Sequence, residues 1–318
     1  MRLSFTQESD FRQQRDFGQK ISATFEFISA HWRGLGRALL FIVVPAALLQ
    51  GILSGLMQKE LLLASARRNG RGGGFLGNLA QAGELTGSPY YWVNIVLGAT
   101  FITLLVLTVY SYMRRCLRPT PSPEPITTGE VWAEVKARFL ESFLSYFGLV
   151  IVIIVGYFLF VIPGIYLSVV LTLFYIVLVM ENTGFGATIS RCRQLARGKW
   201  WSTLGLLFIM FMMLAICSGV IGGVIGGIIG AVGGLLGLNQ GGSASSFLSV
   251  LAIATSTLTG LLSMFFYPPL LIALAFQYFN LVERHDAIGL RNLVGQLGQA
   301  PAAAPTAAAY RPDEEGEY

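Results

Sequence analysis

The residue types that most often carry enzyme chemistry are scarce in this chain. It holds two histidines, His31 and His285, and three cysteines, Cys116, Cys192 and Cys217, scattered along 318 residues. Neither set has the close spacing that a metal site needs, and the thiols read as free cysteines, not as a disulfide frame. The sequence contains no H-E-x-x-H, no G-x-S-x-G and no paired aspartates within an apolar run. No catalytic, cofactor-binding or metal-binding residue is assigned on these grounds, no cofactor is expected, and an enzyme is disfavoured.

Two charged features remain as candidate sites. Glu181 closes a long apolar run and stands ten residues before Arg191. It can pair with Arg191 or Arg193 and hold the segment between them against a helical bundle, or it can be a solvated helix-end charge worth little. The second feature is the basic set Arg191, Arg193, Arg197 and Lys199. These side chains suit anionic lipid headgroups, each contributing about 1 kcal/mol near a charged leaflet, or they serve topology alone. Nucleic acid is not expected as a partner despite a net charge of +5, because the basic residues flank apolar segments.

The elements that must position these groups follow from composition. The chain is 54% hydrophobic and 12% charged, about half the charged share of a soluble domain. That excludes a soluble enzyme, a disordered chain and a disulfide-rich secreted domain, and leaves an integral membrane protein. A bilayer crossing takes roughly 20 apolar residues as a helix. The pattern predicts an all-α polytopic bundle with six transmembrane helices, near 38–57, 91–113, 143–162, 164–181, 203–226 and 256–282. Residues 1–37 form a polar N-terminal segment with an amphipathic helix and no signal-peptide core, 38–287 the transmembrane domain, and 288–318 a disordered Ala/Pro-rich acidic tail.

Some boundaries carry their own reasons. Phe143 to Met180 is uncharged over 38 residues, too long for one crossing, and Pro163-Gly164 near its middle is expected to turn the chain as a hairpin. Thr203 to Leu238 and Ser246 to Val282 also exceed one simple span, the second with Pro268-Pro269 inside it. Each is expected to hold one crossing plus an extension or a broken helix.

Glycines 219, 222, 223, 226, 227 and 230 recur at spacings of mostly three and four. Small residues so spaced allow close backbone approach. Gly219, Gly222, Gly223, Gly226, Gly227 and Gly230 thus mark a helix-packing seam, made within the bundle or with a second copy or protein partner. A separate crossing by this tract would raise the count to seven or eight.

Each predicted helix pair is preceded by a polar segment with apolar residues at helical spacing, which suits a helix lying in the membrane interface. Phe17-Gly18-x-x-Ile21-Ser22 reappears as Phe185-Gly186-x-x-Ile189-Ser190, with Trp32 and Trp200 at the same offset. Internal duplication and three unrelated linkers both account for this. Lysine and arginine are concentrated on one set of loops, including Arg15, Lys20, Arg115, Arg138 and Arg284. That bias places both termini in the cytoplasm of a bacterial inner membrane. The four basic residues Lys59, Arg67, Arg68 and Arg71 in the first opposite loop run against it.

The stretch Ile162-Pro163-Gly164-Ile165-Tyr166-Leu167, followed by Glu181, Gly184, Ala187, Ser190 and Gly198-Lys199-Trp200-Trp201, resembles a bacterial membrane family. It is similar to the membrane domain found beside some glycerophosphodiester phosphodiesterases and in related six-helix proteins. The resemblance implies a six-helix membrane domain; the phosphodiesterase barrel has no counterpart in this sequence. The expected function is a non-enzymatic module that binds membrane lipids or partner proteins. The alternatives are a transporter or channel for a small neutral or amphipathic solute, and a lipid-modifying enzyme using Glu181.

Overall fold

The computed structural model describes residues 8–67, 83, 86–117, 126–235 and 244–287. The predicted tail and the opposite-loop residues Arg68 and Arg71 lie outside them. The described elements are all helical: α1 (Glu8–Phe11), α2 (Phe17–Ile42), α3 (Val44–Arg67), α4 (Pro89–Leu117), α5 (Thr128–Leu159), α6 (Val161–Leu171), α7 (Phe174–Glu181), α8 (Phe185–Ala196), α9 (Trp200–Leu235) and α10 (Ala244–Asp286). Among the described residues five helical stretches are long and apolar enough to cross a membrane, and the bent pair α2–α3 is a sixth if taken as one span. The chain is an all-α bundle of the multi-pass membrane kind.

Local chemistry explains where the helices start and bend. Asp16 caps α2 in a reciprocal box with Gln19, whose side chain accepts from the Asp16 N–H at 3.0 Å. Pro45 cannot donate to the carbonyl of Phe41, and the axis bends by 53° where α2 meets α3. Thr127 caps α5, its hydroxyl accepting from the Glu130 N–H at 3.4 Å.

The structure revises the predicted hairpin turn. The chain turns at Phe160, which is extended at φ −158° and ψ 138°, and Pro163 and Gly164 lie in the first turn of α6. A proline fits there because the first-turn N–H groups have no helical partner. Gly164 has a different task. A Cβ at that position would stand 2.8 Å from the Tyr157 Cα, so α5 and α6 touch backbone to backbone.

Of the two forms expected for the long apolar runs, an extension or a broken helix, the structure has the first. Pro268 and Pro269 lie inside a continuous α10 of 43 residues. Neighbouring helices let a membrane helix keep its course past residues that lack a donor. The glycine tract likewise continues α9, a single helix of 36 residues.

The close packing expected of that tract is made elsewhere. An added Cβ at Gly219, Gly222, Gly223, Gly226 or Gly227 would meet nothing within 4 Å, so this face is open among the described residues; Gly230 lies farther along the same helix. At Gly51 and Gly55 of α3, by contrast, a Cβ would come within 2.5 Å of Thr257 and 2.4 Å of Ile253 on α10. The Ser256 hydroxyl donates to the Gly51 carbonyl at 2.8 Å across this contact. The α3–α10 pair is therefore a small-residue interface of the membrane type.

Candidate functional site

The site forms where five helix ends meet. Helix α7 stops at Glu181 because Asn182 takes the left-handed conformation at φ 53° and returns its N–H to the Leu178 carbonyl at 3.1 Å. Helix α8 then begins after Gly184, with Thr188, Cys192, Leu195 and Ala196 buried on one side. The Phe185 ring anchors its start, 5.4 Å from the ring of Phe174 and packed on Gly148 of α5.

On the polar side of α8 the basic residues separate into two roles. The Arg191 Nε donates to both carboxylate oxygens of Glu181 at 3.0 Å, and its Nη2 donates to Asp286 at the end of α10. The Tyr278 hydroxyl donates to Glu181 at 3.0 Å. Burial works against the Arg191 charge, but its bonds to Asp286 and Glu181 and their negative charges raise its pKa above the ordinary arginine value. Burial and the nearby Glu181 push the Cys192 thiol up to about 12, which makes it an inert packing group. Arg193, Arg197 and Lys199 are exposed. The structure thus brings Glu181 and Arg191 together and leaves the other three cations facing outward.

Gly198 ends this segment at φ 78°, a left-handed turn that starts α9 in a new direction. The Trp200 indole N–H donates to the Tyr166 carbonyl at 3.3 Å, with the two rings stacked. Trp201 beside it is 79% exposed. An exposed tryptophan among cations is the usual furniture of a membrane–water interface.

Below the α8 network lies a buried polar layer, whose cations Lys20 and Arg15 read in the sequence only as topology signals. Lys20 of α2 is 3% exposed, and its Nζ donates to the Gln277 Oε1 of α10 at 2.7 Å. The Gln277 Nε2 donates to the Thr203 hydroxyl of α9 at 3.0 Å, and Thr203 in turn donates to the Lys199 carbonyl. Arg15, also buried, donates through its backbone N–H to Asn280 and through its guanidinium to the carbonyls of Phe11 and Asp10. The Arg15 guanidinium sits 4.9 Å over the Phe276 ring. The spacing of Gln277, Asn280 and Arg284 along one helix face was the available signal.

A second ionic joint binds α4 to α5, where Arg115 reaches Glu130 at 3.3 Å and Glu134 at 3.0 Å. Arg138 of α5 donates to the Val179 carbonyl of α7 at 2.8 Å. Among the described residues no group of His, Cys, Asp and Glu is arranged to hold a metal ion. No family model matches the chain, and neither a curated protein nor a solved structure does.

Proposed function

We propose that this chain is a non-enzymatic membrane module that gathers anionic lipid at one bilayer surface, in a bacterial inner membrane with both termini cytoplasmic. The observation that carries this is the division of labour on α8. Arg191 is spent on holding the helix to Glu181 and Asp286, while Arg193, Arg197, Lys199 and Trp201 are presented outward. A helix fixed at both ends and offering cations beside an indole suits headgroups of the opposite charge. The resemblance carried by the stretch from Ile162 to Trp201 supports a six-helix membrane domain without the hydrolase barrel. The open glycine face of α9 suits a second copy or a membrane partner.

Glu181 argues against lipid hydrolysis, since its carboxylate is engaged by Arg191 and Tyr278. One observation favours the transport reading. Gln50, Ser54 and Asn94 form a polar cluster between α3 and α4, and the buried Gln50 Oε1 has no hydrogen-bond partner among the described residues. A single preparation tests both readings. Protein reconstituted in vesicles of mixed phosphatidylglycerol and phosphatidylcholine is re-extracted and its retained lipid analysed. The wild type is expected to retain phosphatidylglycerol above the bulk ratio, and an R193Q/R197Q variant to return to that ratio. Equal retention by the two proteins, together with saturable uptake of a neutral solute by the vesicles, would replace this proposal with transport.

A further inference from the structure

We infer that Lys20, Lys199 and Arg284 form a discrete binding site for one phosphate group, the phosphodiester of an anionic lipid, at the junction of α2, α9 and α10. The inference rests on the lipid reading above and deepens it from a charged surface to a built site.

A buried ammonium is costly unless an opposite charge accompanies it. Lys20 is buried, yet among the described residues no carboxylate pairs with it, and its one hydrogen bond goes to the neutral Gln277 amide. The orientation of that amide is fixed from behind. Thr203 donates to the Lys199 carbonyl, so its oxygen accepts from the Gln277 Nε2, and the Gln277 oxygen must face Lys20. An ammonium has three donors, so two remain for a ligand.

The surroundings add positive charge where neutralisation would be expected. Lys199 joins this cluster through its carbonyl, which Thr203 reaches beside Gln277, and Arg284 through Asn280 on the Gln277 face of α10; their charges act on Lys20 against that of Asp16. Both side chains are exposed. Arg284 is tied only through its Nε to Asn280 at 3.4 Å, and the Lys199 ammonium has no hydrogen bond among the described residues. Arg15 is close in the chain but already spent on the carbonyls of Phe11 and Asp10. One buried and two exposed cations with unspent donors thus adjoin the Gln277–Thr203 pair, a set that phosphate oxygens fit.

The adjoining surface selects a lipid as the source of that phosphate. Helix α9 starts directly after Lys199 and exposes Trp201, Phe208, Phe211 and Met212, at 79%, 62%, 52% and 49%. A headgroup held at Lys199 would lay its acyl chains along this apolar side.

Native mass spectrometry of the full-length protein in detergent, titrated with phosphatidylglycerol, tests the site. Wild type is expected to keep one phosphatidylglycerol after weaker adducts are stripped. Lys20→Met and the K199Q/R284Q variant should each lower its affinity about tenfold, whereas Lys20→Arg should keep it. The R193Q/R197Q variant should lose the weaker adducts and retain the single one, which separates this site from the surface enrichment proposed above. If Lys20→Met does not fold, K199Q/R284Q carries the test, because both side chains are exposed. Undiminished retention in K199Q/R284Q would overturn the inference. Displacement of the lipid by millimolar inorganic phosphate would overturn the lipid assignment and leave a free-phosphate site.

Discussion

Arg191 shows how one side chain settles the role of its neighbours. Its guanidinium is shared between Glu181, at the end of α7, and Asp286, at the end of α10, with all three side chains between 21% and 24% exposed. Partial exposure screens the attraction, so each bond contributes less than in a dry interior. Truncation still leaves two carboxylates facing each other with no cation between them. Arg191→Gln is expected to cost about 1–2 kcal/mol, read as a lower thermal midpoint in detergent. Glu181→Gln should cost less, because Tyr278 still has an oxygen to donate to. The double variant should be less damaging than the two losses added together, since both remove the same bond. Simple additivity would mean that the pair is a proximity without energetic coupling. That Glu181 stands ten residues before Arg191 was legible from the chain, because an amphipathic helix folding back brings such residues close. Asp286 was not, since nothing in a linear sequence relates position 286 to position 191.

At the scale of helices, glycines have two separate tasks, close contact and a left-handed backbone, and some have neither. Gly164 lets α5 and α6 meet, with a Cβ at that position falling 2.7 Å from the Tyr157 ring and 2.8 Å from its Cα. Gly186 of α8 has nothing within 4 Å. Gly164→Ala is therefore expected to destabilise by about 1–3 kcal/mol through overpacking, and Gly186→Ala to be neutral or stabilising by up to about 1 kcal/mol. Thermal unfolding of the two variants side by side checks the pair, and equal midpoints would show that the hairpin backbone gives way freely. Gly198 has the second task, a positive φ. In the sequence match between Phe17 and Phe185 the residue corresponding to Gly198 is Ala30. Both copies begin alike, their preceding residues Asp16 and Gly184 sharing φ −69° with ψ 168° and 167°. They diverge where glycine is replaced: α2 runs on through Trp32 into the next segment, whereas α8 ends and Trp200 starts a new helix. Hydrophobic periodicity made the amphipathic stretches legible, but a period cannot say whether a helix continues into the span behind it. That depends on one backbone conformation.

For the molecule as a whole, the number of crossings and the meeting of the chain ends constrain each other. Among the described residues five stretches pass as spans alone, and the bent pair α2–α3 supplies a sixth only if both halves count as one crossing. An odd number would send the start of α2 and the end of α10 to opposite bilayer surfaces. They are instead in contact: Lys20 reaches Gln277 at 2.7 Å and the Arg15 N–H reaches Asn280 at 3.1 Å. A contact made at one bilayer surface goes with an even number, which the described residues give when the pair bent by 53° at Pro45 is counted as one span. In the sequence the expectation of both termini on one side rests on charge bias alone, with Lys59, Arg67, Arg68 and Arg71 against it for the first pair. The packing of α2 against α10 supplies the argument that charge counting lacked. Which surface the two ends share is the part that rests on lysine and arginine placement. Reporter domains active only in the cytoplasm, fused in turn before Met1 and after Tyr318, are expected to be active at both positions. Activity at one end only would break the even count and with it the contact between α2 and α10. Inactivity at both would keep the bundle and invert it, placing the cations of α8 on the outer face and away from the anionic leaflet they are proposed to read.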